Sequence, residues 1–353
     1  MPGLRQLSYR QTYLLLAVLL ALVLIASASI GAFMFSPNEI ARFAGEGLGL
    51  LPATGSDSLD RNVFFRLRLP RVILCGATGA ALGVSGALMQ GLFRNPIVEP
   101  GLAGTSAGAA LGAAVVFVLG GASSLVSPLG TAGVPVLAFA SSFAATMLVY
   151  RLSTSLGRTD VFTLLLAGIA INAMCNAGTG FLSYIAHDPQ ARNITFWNLG
   201  TFTTADWRGA LLVAAAFAVC FAFALRHGKS LNALMLGEDD AAYTGVEPER
   251  LIFRLIVINT IMVSVATAMV GVIAFVGLVV PHLLRLMRSS DYTFLLPASA
   301  LLGAMLMEIV DIVARLVVQP AELPIGIITA LLGAPFFLWI LITQRRARSS
   351  FYG

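Results

Sequence analysis

The chain has 353 residues, 58% of them hydrophobic and 11% charged, with a formal net charge of +5. Soluble domains run at roughly 45–50% apolar and about 25% charged, so a water-soluble fold is excluded and lipid must solvate much of this surface. The basic excess does not call for nucleic acid, because arginines at the cytoplasmic ends of helices make most membrane proteins basic.

In chain order, apolar runs fall at about 13–35, 71–93, 101–120, 131–150, 161–186, 209–226, 251–273, 276–288, 294–317 and 324–343. A hydrocarbon core of about 30 Å needs roughly 20 apolar residues per helix. The runs therefore predict an all-α integral membrane bundle of ten transmembrane helices, a single domain over residues 1–353. Stretches such as Leu14–Leu20 do not alternate with period two, which rules out barrel strands. The first run follows Arg5 and Arg10, is long for a signal-peptide core, and is expected to be a retained span. The second carries Gly76, Gly79, Gly83, Gly86 and Gly91, and the third Gly101, Gly104, Gly108 and Gly112. Small residues three and four apart let helices approach closely, so a tightly packed bundle is expected. In the fifth run Asn172 and Asn176 share a face by i,i+4 spacing, near Gly168 and Thr179. Such groups either bond a neighbouring helix or line a pathway. Gly271 and Gly277 predict a turn between the seventh and eighth runs. Runs 2–5 are echoed by 7–10 after one extra helix, in the opposite direction, which predicts inverted-repeat character.

The positive-inside rule sets the orientation. With both termini cytoplasmic, the outer side holds Arg42, Arg61, Arg66, Arg68, Arg71, Arg192, Arg208 and Arg315, and the other 14 of the 22 basic residues lie inside. The cluster from Arg61 to Arg71 breaks the rule, which calls for headgroup anchoring or for an acidic partner outside. Cys75, Cys175 and Cys220 each sit in an apolar run and read as small buried hydrophobes. Gly228-Lys229-Ser230 lacks the glycine that a phosphate-binding loop needs five residues earlier, where Phe223 stands. His187, His227 and His282 are isolated, no metal-ligand spacing occurs, and no nucleophile stands with a base. An enzyme is therefore not expected, nor a cofactor or metal on this chain.

The segment 227–250 is the largest inner loop. It reads as a short amphipathic helix over about 230–236, a stop at Gly237, a second helix opening on Glu238-Asp239-Asp240, and a stop at Gly245. Its acidic turn would be repelled by anionic lipid, so the pair is expected to receive another protein.

These residues carry a resemblance. The loop looks like the ATPase-coupling helices of the permease subunits of ABC importers for iron–siderophores, haem and cobalamin, the FecCD-like family. Four further stretches match in order: Arg68-Leu69-Pro70-Arg71; Gln90 to Gly104 with Asn95-Pro96-Ile97; Gly271 to Arg285; and Asp311-Ile312-Val313-Ala314-Arg315 with Glu322-Leu323-Pro324. Gly333-Ala334-Pro335-Phe336-Phe337 completes a likeness over about residues 60–343. It implies a type II importer permease in a bacterial inner membrane. It implies a homodimer with two cytoplasmic ATPases that carry ATP and magnesium, and a periplasmic binding protein.

In that resemblance Arg68, Arg71 and Arg315 dock glutamates of the binding protein, which would explain the charge anomaly. Asp311, one turn before Arg315, is placed to hold it. Leu234, Leu236, Gly237, Glu238, Asp239, Ala242 and Gly245 would couple to the ATPase. Asn95 and Ile97, with Val161 and Phe162, would flank the inner gate, and Asn172 and Asn176 the path. The transported substrate would be a haem or another bulky iron chelate, with siderophore or vitamin B12 as alternatives. Tyr184 and His187 stand where a haem could be met. Glu308 departs from the apolar residue expected there. The rival class is an ion-coupled secondary transporter using Glu308 and Asp311.

Overall fold

A computed structural model describes residues 8–31, 33–47, 49–51, 59–120 and 127–349. Arg5, counted above among the inner charges, lies outside them. The helices are α1 (Tyr9–Ser29), α2 (Pro37–Gly47), α3 (Leu59–Val63), α4 (Leu69–Leu92), α5 (Thr105–Leu119), α6 (Gly133–Ser153), α7 (Val161–Ile185), α8 (Asp188–Asn198), α9 (Trp207–Arg226), α10 (Gly228–Leu234), α11 (Glu238–Tyr243), α12 (Pro248–Val270), α13 (Val276–Met287), α14 (Tyr292–Leu316) and α15 (Ile325–Ser349). A π-helical turn at Phe64–Arg68 joins α3 to α4, and a two-residue hairpin, β1 (Thr154–Ser155) with β2 (Arg158–Thr159), joins α6 to α7.

All ten apolar runs are helical over most of their length. Among the described residues seven helices are long and apolar enough to cross a membrane, while the apolar parts of three more, Thr105–Leu119, Val276–Met287 and Ile325–Ile340, are shorter. The shortening has local causes. The third run spends its start on a 3-10 turn, Pro100–Ala103, closed by Gly104 at φ 91°. The predicted break between the seventh and eighth runs is present: α12 stops at Gly271, φ 80°, and α13 restarts after Phe275, φ 68°.

The bundle is built around α4, in which every residue from Thr78 to Leu92 is buried. Glycine makes this possible. A Cβ at Gly79 would stand 2.3 Å from the Gly303 carbonyl oxygen on α14, and one at Gly86 would stand 1.8 Å from that of Gly277 on α13. Side chains at these positions would force the backbones apart, so the close approach predicted from the spacing is a contact of main chain on main chain. Cys75, Cys175 and Cys220 are free and buried, as the sequence implied. Because α4 runs through the centre, its two ends place two polar assemblies about 35 Å apart at 1.5 Å per residue.

Candidate functional site

At one end α1 terminates, and its last carbonyls have no helical donor. Two arginines supply donors. Arg68 Nη1 donates to the Ile30 oxygen at 2.7 Å and Nη2 to that of Phe33 at 3.1 Å. Arg315 Nη1 donates to the oxygens of Ser27, 3.1 Å, and Ile30, 2.6 Å, and Nη2 to Ser27 Oγ at 2.8 Å. A cation at a helix C-terminus also suits the macrodipole. Arg71 forks between two carboxylates. Its Nη2 reaches Asp311 Oδ1 and Glu322 Oε2, each at 2.8 Å, and Nη1 reaches Glu322 Oε1 at 3.0 Å. Asp311, fully buried, also lies 3.1 Å from Arg315, so the expected one-turn pairing is present.

The three arginines thus come together, but they are not free arms held out to a partner. Arg68 and Arg315 are 8% and 5% exposed, and only the Arg71–Glu322 pair reaches the rim, with Glu322 the more open. The sequence signalled an outward charge; it carried no sign that α1 would consume two guanidinia. Glu308 lies deeper on α14, fully buried, and neither of its oxygens makes a hydrogen bond of good geometry.

At the opposite end α10 and α11 form the predicted pair, split by Gly237 at φ 138° and closed by Gly245 at φ 83°. Leu231 and Leu234 are fully buried and seat α10 on the bundle. Leu234 is therefore an anchor, not a contact surface: helical periodicity turns it inward while the chain end after it exposes Leu236. Asp239 and Ala242 are exposed, and Tyr243 is 89% exposed. Glu238 pairs instead with Arg94, just past the end of α4. Asn232 donates to Asp291 Oδ1 at 2.7 Å and accepts from the Tyr292 amide at 2.9 Å, which fastens α10 to the start of α14. Asp291 also caps α14; burial opposes its charge, but the Asn232 amide group and the Thr293 amide and hydroxyl, all donating to it, hold the carboxyl below its ordinary range.

At this same end, Asn95 Oδ1 accepts from the Ile97 amide at 3.1 Å and fixes the turn after α4. Asp160 caps α7 by accepting from the amides of Phe162 and Thr163. Those bonds, with the Thr163 hydroxyl first, depress its carboxyl pKa. Val161 is half-buried and Phe162 exposed. The open alternative for the asparagines divides. Asn172 Nδ2 donates to the carbonyls of Gly101 and Leu102 at 3.2 and 3.3 Å, so it ties α7 to the turn before α5. Asn176 is exposed. Tyr184 and His187 are exposed as well.

Three polar ties were missed. Gln90 accepts from Arg285 in the core. Glu99 accepts from the amide of the left-handed Phe275 at 2.8 Å, a site where burial pushes the carboxyl up against the pull of that bond. Glu249 accepts from the Thr159 amide. The first two lay inside stretches singled out above, but no local pattern announced their partners, 195 and 176 residues away.

The fold is a helical bundle with seven helices long and apolar enough to cross a membrane among its described residues, with a paired-helix projection at one end and an ionic cluster at the other. The FecCD transport family model matches residues 19–343, and the chain belongs to that family of ABC importer permeases. It is 40% identical over 334 residues to the hemin transport system permease protein HmuU of Yersinia pestis, covering 95% of this chain and 96% of that one. It is 38% identical over 295 residues to the vitamin B12 import system permease protein BtuC of Vibrio cholerae, covering 84% and 87%. A solved structure described as an inward-facing metal-chelate type ABC transporter superposes with a TM-score of 0.81 at 31% identity, over 95% of this chain and 99% of that one.

Proposed function

We propose that two copies of this chain form the translocation unit of an importer that carries haem across a bacterial inner membrane. Two cytoplasmic ATPases drive it and a periplasmic binding protein feeds it; ten helices span, the three shorter ones included, and both termini are cytoplasmic. The observation that carries this reading is the α10–α11 pair: seated by Leu231 and Leu234, it presents Leu236, Asp239 and Tyr243 on a chain with little other mass outside the lipid. Such a surface suits the ATPase. The arginine cluster suits the binding protein, with Arg71 as the accessible member and Arg68 and Arg315 holding it and α1 in place. The inner gate lies at Asn95, Ile97, Val161 and Phe162, and Asn176 faces the path. The likeness to HmuU favours haem, and the likeness to BtuC makes a corrinoid the second reading.

The ion-coupled reading is set aside by family membership. The geometry agrees for Asp311, whose carboxylate is occupied by Arg71 and Arg315.

The test is uptake in proteoliposomes holding this chain with its ATPase and binding protein, supplied in turn with haem, a ferric siderophore and cobalamin. Haem accumulation that needs both ATP and the binding protein is expected. Uptake indifferent to ATP would overturn the importer reading, and uptake of cobalamin alone would overturn the substrate.

A further inference from the structure

The hairpin between α6 and α7 offers one edge to the bundle. Inside it, the Asp160 amide donates to the Ser153 carbonyl at 3.0 Å and the Thr154 and Thr159 hydroxyls meet at 3.0 Å. The Thr159 amide faces the other way and has no strand to join. Glu249 takes it with both oxygens, at 3.0 and 2.9 Å. Thr159 is buried, and it stands immediately before Asp160, the cap of α7. Glu249 lies in the first turn of α12, where a carboxylate is also favoured by the helix dipole.

The chain between Glu249 and the α10–α11 pair is short and closed on itself. Thr244 and Gly245 donate back to Ala241 and Ala242 at 3.1 and 3.0 Å, and Val246 donates to Ala241 at 3.2 Å. A movement of α11 therefore reaches the first turn of α12 without slack. On the other flank, Glu238 holds Arg94, next to Asn95. The unit that receives the ATPase is thus tied to both segments of the inner gate, once through each carboxylate.

We propose that Glu249 is a positioning residue for transport: it carries displacement of the coupling helices to the start of α7, so that ATPase closure and gate movement occur together. This rests on the coupling and gate assignments made above. A merely structural role would be to satisfy one edge amide, and its loss would change stability without changing how much substrate each ATP moves.

The experiment compares wild type, Glu249→Ala and Glu249→Gln in the complete reconstituted transporter, reading substrate moved per ATP hydrolysed. Glu249→Ala is expected to lower that ratio about tenfold, the scale of one hydrogen bond to a charged group. Glu249→Gln keeps the length and one acceptor oxygen, and is expected to stay within about threefold of wild type on the same scale. A second readout uses Phe162→Cys: its thiol-labelling rate should change with ATP in the wild-type background and cease to do so with Glu249→Ala. An unchanged ratio, or transport and hydrolysis falling in proportion, would overturn the tie. A wild-type complex without ATP-driven uptake would overturn the importer reading and the tie with it, and the wild-type arm separates that failure from failure of the tie alone.

Discussion

Asp311→Asn is the sharpest test of the ionic cluster. The carboxylate is fully buried and lies 2.8 Å from Arg71 and 3.1 Å from Arg315. Asparagine keeps the shape, removes the charge and turns an amide NH2 toward a guanidinium. Breaking a buried ion pair by removing one partner costs about 3–5 kcal/mol. Here the lower figure applies, because Arg71 keeps Glu322 and Arg315 keeps Ser27 and Ile30. A loss of about 1 kcal/mol shifts the midpoint by roughly 2–4 °C in chains of 150–250 residues, and by less in longer ones. Asp311→Asn should therefore lower the Tm of the detergent-solubilised protein by about 5 °C on that scale. Glu322→Gln, at the rim, loses a half-exposed pair of about 0–1 kcal/mol and should shift it by less than about 2 °C. Equal Tm values for wild type and Asp311→Asn would refute the idea that this carboxylate neutralises the cluster. Arg71→Glu would set a third carboxylate beside Asp311 and Glu322, so it should lower the Tm at least as far as Asp311→Asn.

Gly86→Ala should destabilise the purified protein by about 3 kcal/mol or abolish its insertion, because the added Cβ meets the Gly277 carbonyl. Gly180→Ala, with nothing within 4 Å, should change thermal unfolding by no more than about 0.5 kcal/mol. Leu234→Ala should cost about 2–5 kcal/mol as a buried truncation, whereas Leu236→Ala should leave unfolding unchanged and reduce ATPase stimulation in the reconstituted complex. Asn172→Ala should cost about 1–2 kcal/mol by removing the amide that bonds the Gly101 and Leu102 carbonyls, of which Gly101 keeps the Gly104 amide. Asn176→Ala should alter the KM for uptake with no loss in thermal stability.

What was legible in the sequence followed from short-range chemistry. Gly237 and Gly245 punctuate α10 and α11 because only glycine accepts those backbone angles cheaply, and both sit where a reader of the chain would put them. The same holds for the Gly271 break, the glycine seams of α4 and the i,i+4 pair Asp311–Arg315. The burial of Leu234 was not legible, because a seven-residue helix shows which residues are apolar without showing which face lies on the bundle.

The arginines stood out in the sequence by their place on the outer side, and the structure shows which groups of this chain they touch. A guanidinium on the wrong side of the positive-inside rule signals a partner, but not whether that partner is another protein or this chain. For Arg68 and Arg315 it is the end of α1, 38 and 285 residues away along the chain. No pattern in the sequence connects them, because the need arises only when α1 ends beside α4 and α14. The consequence for docking is physical. A glutamate arriving from a binding protein cannot reach Arg68 or Arg315 without taking donors from Ile30, Ser27 or Phe33. At Arg71 it meets Glu322 first. On the docking proposed above, an incoming carboxylate would displace Glu322 from Arg71 while Arg68 and Arg315 keep their hold on the end of α1.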